Sequence, residues 1–545
     1  MTALTRRTFL AMPVFAAAAE RPHSRSTVYS TKGIVSTSHV LASQAGAQAL
    51  ARGGSALDAA LAANLALSAV EPMMCGPGGD FFLIYFEAAT GKLHGLNASG
   101  PAPRGLSIQA LTRLGMKSMP RSGIHSVTVP GAVDGWHRAH ARFGRLKWAD
   151  LFPAAIDLAE AHPVHEIIAD HWPDERASED AESTKLFLPA PKTGQIFKNP
   201  ALARFFKTLA AGGRDAFYKG EIAAAILATS RKRGGTLAAE DLASFESEWV
   251  EPISTTYRNA RVYELPPNGQ GLAALLMLNI MGQFPPARQG ALSAEEWHTR
   301  IEAMKLAYAD VAATVTDPRH FRVPVAKMLS PEHARSRAGL IQPGKANCAV
   351  NAAELIASPD TTYLAAVDRG GNVASWIQSI SALWGSGVPV QDFGFPLQNR
   401  GASFTLEPSH PNALAPGKRT FHTIIPGFIE YDGWRAAFGI MGGPNQPLAH
   451  AQFVSNMVDF GMDFQAALDA PRFTKAAAAG CDARVENRLP AATLEGLSRR
   501  GHLLDIRAAY STTMGRGAAA AAHSSSGLKA AACDPRSDGA AVPEL

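Results

Sequence analysis

Hydrophobic and polar positions along the chain change texture near residue 360. Before it, apolar residues recur with helical spacing from Leu41 to Arg52, closed by Gly53-Gly54, and again from Ala56 to Val70. Ser55 is placed to cap the second of these helices, and Glu71-Pro72 to stop it. The turn Gly76-Pro77-Gly78-Gly79 then leads into Phe81-Phe82-Leu83-Ile84-Tyr85-Phe86, an unbroken apolar run of the kind a strand shows when both faces are covered. Helical spacing returns over 129–161, 201–231 and 272–313, with a strand at Tyr257–Leu265. The charged, proline-interrupted stretch from Arg176 to Asn199 reads as surface connection. Beyond Thr361 short β runs dominate: Tyr363–Val367, Val373–Ile380, Thr423–Ile429 and Arg435–Ile440, followed by helical spacing over 448–470. Strands in series with helices to cover them predict an α+β fold of stacked layers. No repeat of fixed period is present, and the alanine-rich patches at 476–479 and 518–522 read as local composition.

Composition narrows this picture. With 545 residues, 46% hydrophobic and 18% charged, the chain can build a large core. Its formal net charge of +5 carries no basic stripe interleaved with aromatics, which argues against nucleic acid as a partner. Arg6-Arg7 precede the short apolar stretch Phe9–Ala19, and Arg-Arg-Thr-Phe-Leu looks like a twin-arginine export signal. Residues 1–27 are therefore expected to be a signal peptide, and the mature protein to be periplasmic or secreted. No later run reaches the ~18 uninterrupted apolar residues of a membrane span; Leu57–Met74 carries Asp58, Asn64 and Glu71. The four cysteines show no metal-ligand spacing and read as buried free thiols, although an oxidising compartment would allow a pairing that the sequence does not specify.

Two stretches can carry chemistry. In Ser358-Pro359-Asp360-Thr361-Thr362 a β run opens on a threonine directly after an aspartate. A threonine that becomes an N-terminus holds its own general base, because the freed α-amine lies beside Oγ1. The returning strand brings Ser379 and Ser381 back toward that start. The second stretch is Gly439-Ile440-Met441-Gly442-Gly443-Pro444-Asn445, where adjacent glycines let backbone amides approach a ligand as an oxyanion hole requires, or simply make a tight turn.

In order and spacing, the chain resembles the gamma-glutamyltransferase (gamma-glutamyl transpeptidase) family of N-terminal-nucleophile hydrolases. The stretches that carry the resemblance are GGSALDAALAANLALSAVEPMMCGPGGDFFLIYF (53–86), VTVPGAVDGWHRAHARFGRLKWADLFPAAIDLAE (127–160) and PPNGQGLAALLMLNI (266–280), then EAMKLAYADVAATVTDPRHF (302–321) and TTYLAAVDRGGNVASWIQS (361–379). PGKRTFHTIIPGF (416–428), MGGPNQP (441–447) and CDPRSDGAA (533–541) complete them. The resemblance implies a four-layer αββα sandwich and self-cleavage between Asp360 and Thr361. That cut would give a large subunit, 28–360, and a small one, 361–545, from one precursor. Thr361 would attack an amide or γ-glutamyl carbonyl, with Ser379 as the second hydroxyl and Gly442 and Gly443 as the oxyanion hole, and no metal or organic cofactor would be needed.

Substrate recognition departs from the family's pattern. Its Arg-Glu-x-Ala-Pro motif is Asn97-Ala98-Ser99-Gly100-Pro101-Ala102-Pro103 here, so the arginine that holds the glutamyl carboxylate is missing and Arg104 comes just after. The acidic partner of the α-amino group matches Ser403, an asparagine near the nucleophile becomes Ser381, and a serine pair becomes His422-Thr423. LQNRGASF (397–404) and PGKRTFHTIIPGF look more like the branch with oxamate amidohydrolase and cephalosporin-acylase-like hydrolases, although that branch often carries an arginine where Pro101 stands. These losses favour hydrolysis over transpeptidation. His422 could contact substrate or make a structural hydrogen bond; Arg400 and Arg419 could replace the carboxylate anchor or sit in structural ion pairs. His298 and Glu302, four apart on a helix, read as a surface pair, and Asp534-Pro535-Arg536 as a turn that braces the site. The reading from another class is an uncut relative that binds a small amide or peptide without catalysis.

Overall fold

The computed structural model describes residues 24–173, 181–350, 361–475 and 477–545, so positions 1–23 of the expected signal and Asp360 lie outside the described residues. Two seven-stranded antiparallel sheets are stacked face to face. One runs Val28–Ser30, Lys529–Cys533, Gly517–His523, Trp434–Ile440, Gly427–Tyr431, Ala260–Glu264, Ile253–Tyr257. The other runs Ala540–Pro543, Ile34–Thr37, Thr362–Val367, Val373–Ser379, Asp80–Glu87, Lys92–Ala98, Glu248–Val250. Helices Val40–Ala51 and Ala56–Val70 pack on the outer face of the second sheet, and Gly271–Met281 and Gln446–Val458 on that of the first. The result is the expected αββα sandwich.

Strand side chains alternate between two cores. Phe81, Leu83 and Tyr85 face the helices, whereas Phe82, Ile84 and Phe86 fill the space between the sheets. That double burial accounts for the unbroken apolar run. Ser55 caps its helix as expected, in a reciprocal box with Asp58.

The helical stretches are more broken than the spacing predicts. Residues 129–161 divide into Ala132–Phe143, a 3-10 turn at Trp148–Leu151, and Pro153–Glu160; residues 272–313 divide into Gly271–Met281 and Ala294–Thr314. Within the presumed surface connection, Phe187 is buried beside Trp172 and Trp384. The alanine patch at 518–522 is a central strand: Ala518 and Ala520 face the inter-sheet core, Ala519 and Ala521 the helical one. Alanine is a poor strand former, but its small side chain lets layers on both faces approach. Cys348 and Cys481 form a disulfide, so the reading as free thiols holds only for Cys75 and Cys533, both buried.

Candidate active site

Thr361 opens a central strand and is fully buried. Strand Thr362–Val367 pairs antiparallel with Val373–Ser379, Thr362 opposite Gln378; one step further along that register Thr361 meets Ser379. Its Oγ1 donates to Ser379 Oγ at 3.2 Å. Thr362 points the other way and pairs with Ser38 Oγ at 2.9 Å. Ser379 Oγ also accepts the Ser381 amide at 2.8 Å. Ser381 holds φ at +82°, a strained value for a residue with a side chain, and this bend wraps the chain around Ser379.

Behind Ser379 lies a buried polar group that sequence reasoning missed. Asp80 stands opposite Ser379 in the register and is fully buried. Its Oδ1 accepts from the Gly100 amide (3.0 Å) and Gln398 Nε2 (2.9 Å), and its Oδ2 lies 2.8 Å from His422 Nε2. A charged residue opening a wholly apolar run was the available signal. His422 Nδ1 accepts the Ile424 amide at 3.3 Å, so both ring nitrogens have protein partners. Burial, helped by Arg400, pulls His422 down to about 4, so the ring is neutral at neutral pH.

Arg400 is 1% exposed, and burial pulls its guanidinium down to about 10, still charged at neutral pH. Nη1 donates to Thr423 Oγ1 at 2.7 Å, whereas Nε and Nη2 are buried without a hydrogen-bond partner. Among the described residues no carboxylate lies within ion-pairing distance of it. Arg419 differs: its Nη1 pairs with Glu248 at 2.8 Å, a structural ion pair. Arg104 pairs with Glu240 at the surface.

Gly442 and Gly443 follow strand Trp434–Ile440 with φ of +132° and +56°, conformations that favour glycine at both positions. Among the described residues neither amide donates to a protein acceptor. The turn is held from outside: Gln270 Nε2 donates to the Gly443 carbonyl at 2.8 Å, and Tyr308 to the Pro444 carbonyl. A Cβ on Gly442 would stand 3.4 Å from Gly515 Cα. The Gly515 carbonyl in turn accepts Arg472 Nη1 at 3.0 Å, and Arg472 pairs with Asp534 at 2.6 Å. Asp534, itself held by Arg536 Nη1 at 3.0 Å, thus supports this turn through Arg472.

A cavity of about 450 Å³ adjoins the glycine turn. Thr423, Ser403, Phe404, Phe421, Tyr308, Val311, Val315 and Pro444 are among its walls, and among the described residues no Asp, Glu, Lys or Arg lines it. Ser403, expected at the family's acidic position, stands in this wall.

His298 and Glu302 are not a surface pair; both are buried, because helix Ala294–Thr314 is covered on several sides. His502 completes a cluster with them: His298 Nδ1 is 2.9 Å from His502 Nε2, and Nε2 is 2.8 Å from the Gln342 carbonyl. Lys305 Nζ lies 2.5 Å from Glu302, which places an ammonium where a cation would bind, so the cluster is hydrogen-bonded packing. Beside it, Lys305 holds the Asn347 carbonyl at 2.8 Å and the Ala346 amide donates to the Arg500 carbonyl at 2.7 Å, next to the Cys348–Cys481 bond.

The four-layer sandwich is the architecture of the N-terminal-nucleophile hydrolases. The family described as Gamma-glutamyltranspeptidase matches residues 42–544, and the chain belongs to it as a hydrolase of that family. It is 35% identical to the "Glutathione hydrolase-like YwrD proenzyme" of Bacillus subtilis, over 95% of this chain and 99% of that protein. It is 33% identical to the "Oxamate amidohydrolase proenzyme" of Klebsiella pneumoniae, again over 95% and 99%. A solved cephalosporin acylase from Bacillus halodurans superposes with a TM-score of 0.89 at 39% identity, covering 98% of this chain and 99% of that one.

Proposed function

We propose that the chain is a self-processing amide hydrolase, in which a cut between Asp360 and Thr361 divides residues 28–360 from 361–545. The freed α-amine of Thr361 takes the Oγ1 proton as that oxygen attacks the carbonyl of a γ-glutamyl or related acyl amide. The carbonyl oxygen becomes an oxyanion, for which the Gly442 and Gly443 amides are the donors. Collapse breaks the C–N bond, the α-ammonium returns its proton to the leaving amine, and the acyl group remains as an ester on Thr361. Water then attacks that ester, giving its proton to the same amine, and the acid leaves as Thr361 is restored.

The contact between Thr361 Oγ1 and Ser379 Oγ at the start of a central strand carries this reading. The relatives' names, which speak of a hydrolase, an amidohydrolase and an acylase, fit amide cleavage, and "proenzyme" fits a precursor. A cavity in which no acidic residue among the described ones stands to hold an α-ammonium favours hydrolysis over transfer of a glutamyl group. Residues 1–27 are proposed to direct export to the periplasm or beyond. Their proposed end coincides with the start of the first strand at Val28, and the disulfide suits an oxidising compartment. Among the described residues no helix is long and apolar enough to cross a membrane.

Replacing Thr361 by alanine tests the mechanism. The expected product is one uncut chain without amidase activity, read by denaturing gel, intact-mass spectrometry and release of p-nitroaniline from acyl anilides. Two fragments of normal size from Thr361→Ala, or an active wild-type chain continuous across 360 and 361, overturns it.

A further inference from the structure

Asn445 is a buried side chain that the fold leaves idle. It is 6% exposed, and among the described residues neither its Oδ1 nor its Nδ2 has a hydrogen-bond partner. Its place at the start of helix Gln446–Val458 would ordinarily account for an asparagine, since an N-cap side chain accepts from the amides of the first turn. Here it makes no capping bond: its backbone is already helical at φ −71° and ψ −18°, and Pro447 removes the N–H of the second position. Burying an amide without a partner is costly, and a partner that arrives with the substrate offsets that cost.

The neighbours of Asn445 define that partner. Nδ2 stands between two glycines: a Cβ built on Gly442 would lie 3.6 Å from it, and one built on Gly515 3.2 Å. The Gly442 and Gly443 amides lack acceptors among the described residues, and the fully buried Gln446 Nε2 has none either. Unused donors therefore gather at the positive end of a 13-residue helix, an environment that favours developing negative charge. Arg472, donating to the Gly515 carbonyl at 3.0 Å, holds the far side of this group firm.

We propose that Asn445 is a catalytic residue whose Nδ2 donates a third hydrogen bond to the substrate carbonyl oxygen as it becomes an oxyanion, beyond the two from the glycine amides. This rests on the hydrolase reading above and adds a side chain to its machinery. No proton is transferred: the N–H stays on Asn445 through both tetrahedral intermediates, and the bond strengthens as charge builds on the oxygen. The interaction therefore lowers the barrier without tightening ground-state binding.

Asn445→Ala and Asn445→Asp both remove the donor, the second at constant shape. Because the side chain holds no protein hydrogen bond, both variants should be cut between Asp360 and Thr361 and keep a Tm near that of the wild type. On the fastest of γ-glutamyl, glutaryl and acetyl p-nitroanilide, kcat per processed chain should fall about 100- to 1,000-fold, the effect of one oxyanion donor, with KM nearly unchanged. The Asn445→Asp rate relative to wild type should rise as pH falls from about 8 to about 5.5, because a protonated carboxyl donates where a carboxylate repels. The Asn445→Ala ratio should stay flat; a structural role would move Tm and leave both ratios flat. Should neither variant be cut, the wild type decides: in a crystal of the butylboronic acid adduct of Thr361 Oγ1, a boron-bound oxygen should lie about 2.7–3.1 Å from Asn445 Nδ2. Wild-type kcat in either processed variant, or a boronate oxygen out of reach of Nδ2, overturns this inference alone. A wild type that releases no p-nitroaniline from any of the three anilides removes the hydrolase reading and the inference with it.

Discussion

Thr361 and Thr362 are the same amino acid one peptide apart, and the two-residue period of a strand separates their roles. Thr362 closes a hydrogen bond to Ser38, whereas Thr361 turns toward Ser379 on the opposite face. Ser379 is the point where the site converges, because its oxygen accepts from both Thr361 and the strained Ser381 amide. Ser379→Ala should lower kcat by about 10-fold or more and cost about 1–3 kcal/mol of stability, since the buried Ser381 N–H loses its acceptor. Steady-state kinetics and denaturant unfolding of the processed protein measure the two effects; an unchanged kcat would remove Ser379 from the mechanism. The threonine, both serines and the glycine pair are legible in the sequence because their types suit the chemistry and their spacing matches a hairpin and a turn. Asp80, Gln270 and Tyr308 are not, because each acts through a partner more than thirty positions away that only the fold brings near.

Between the two sheets, the ring of Tyr363 lies against Gly439: a Cβ built there would come within 2.3 Å of it. This contact ties the strand that begins beside Thr361 to the strand that ends in the glycine turn. Tyr363 is fixed in turn by Ser375 at 2.8 Å, so the ring has little freedom to withdraw. Gly439→Ala should therefore destabilise the fold by about 1–3 kcal/mol, the usual cost of overpacking. Because it shifts one strand against the other, it should also reduce kcat; a variant with wild-type Tm and kcat would show that the sheets are not held at this point. The neighbouring strand Gly517–His523 shows where sequence pattern stops being informative. Five alanines carry no periodicity, so nothing in them announces a strand, and only the layers on either side explain why small residues are required. Long helical spacings were readable as helix, but their breaks at Gly144 and Gly282 follow from where the chain must turn over the sheets.

At the scale of the molecule, His39, His422, His450 and His502 are each at most 3% exposed, and burial pulls them down to about 3, 4, 3 and 3. In the unfolded chain these rings take up a proton near pH 6.5, whereas the folded protein holds them neutral until well below that. The unfolded state therefore binds more protons throughout the interval, and stability rises with pH there and falls on acidification. Each histidine contributes a slope of about 1.4 kcal/mol per pH unit in that window. Denaturant unfolding at pH 7.5, 6 and 5 should show a clear decline; a flat profile would mean that the rings are not held neutral. The layered architecture and the family are legible from end to end in the sequence, whereas the disulfide pairing is not, because Cys348 and Cys481 are joined across 133 positions. Cys348 lies upstream of the proposed cut and Cys481 downstream. Once the main chain opens at 360, that bond becomes a cross-link between two polypeptides, so the mature enzyme should run as one species on a gel without thiol and as two after dithiothreitol. Two bands without reductant would show that the halves are held by packing alone. Through that link the upstream polypeptide stays leashed to its companion, and dilution cannot separate the halves until a reductant cuts the leash.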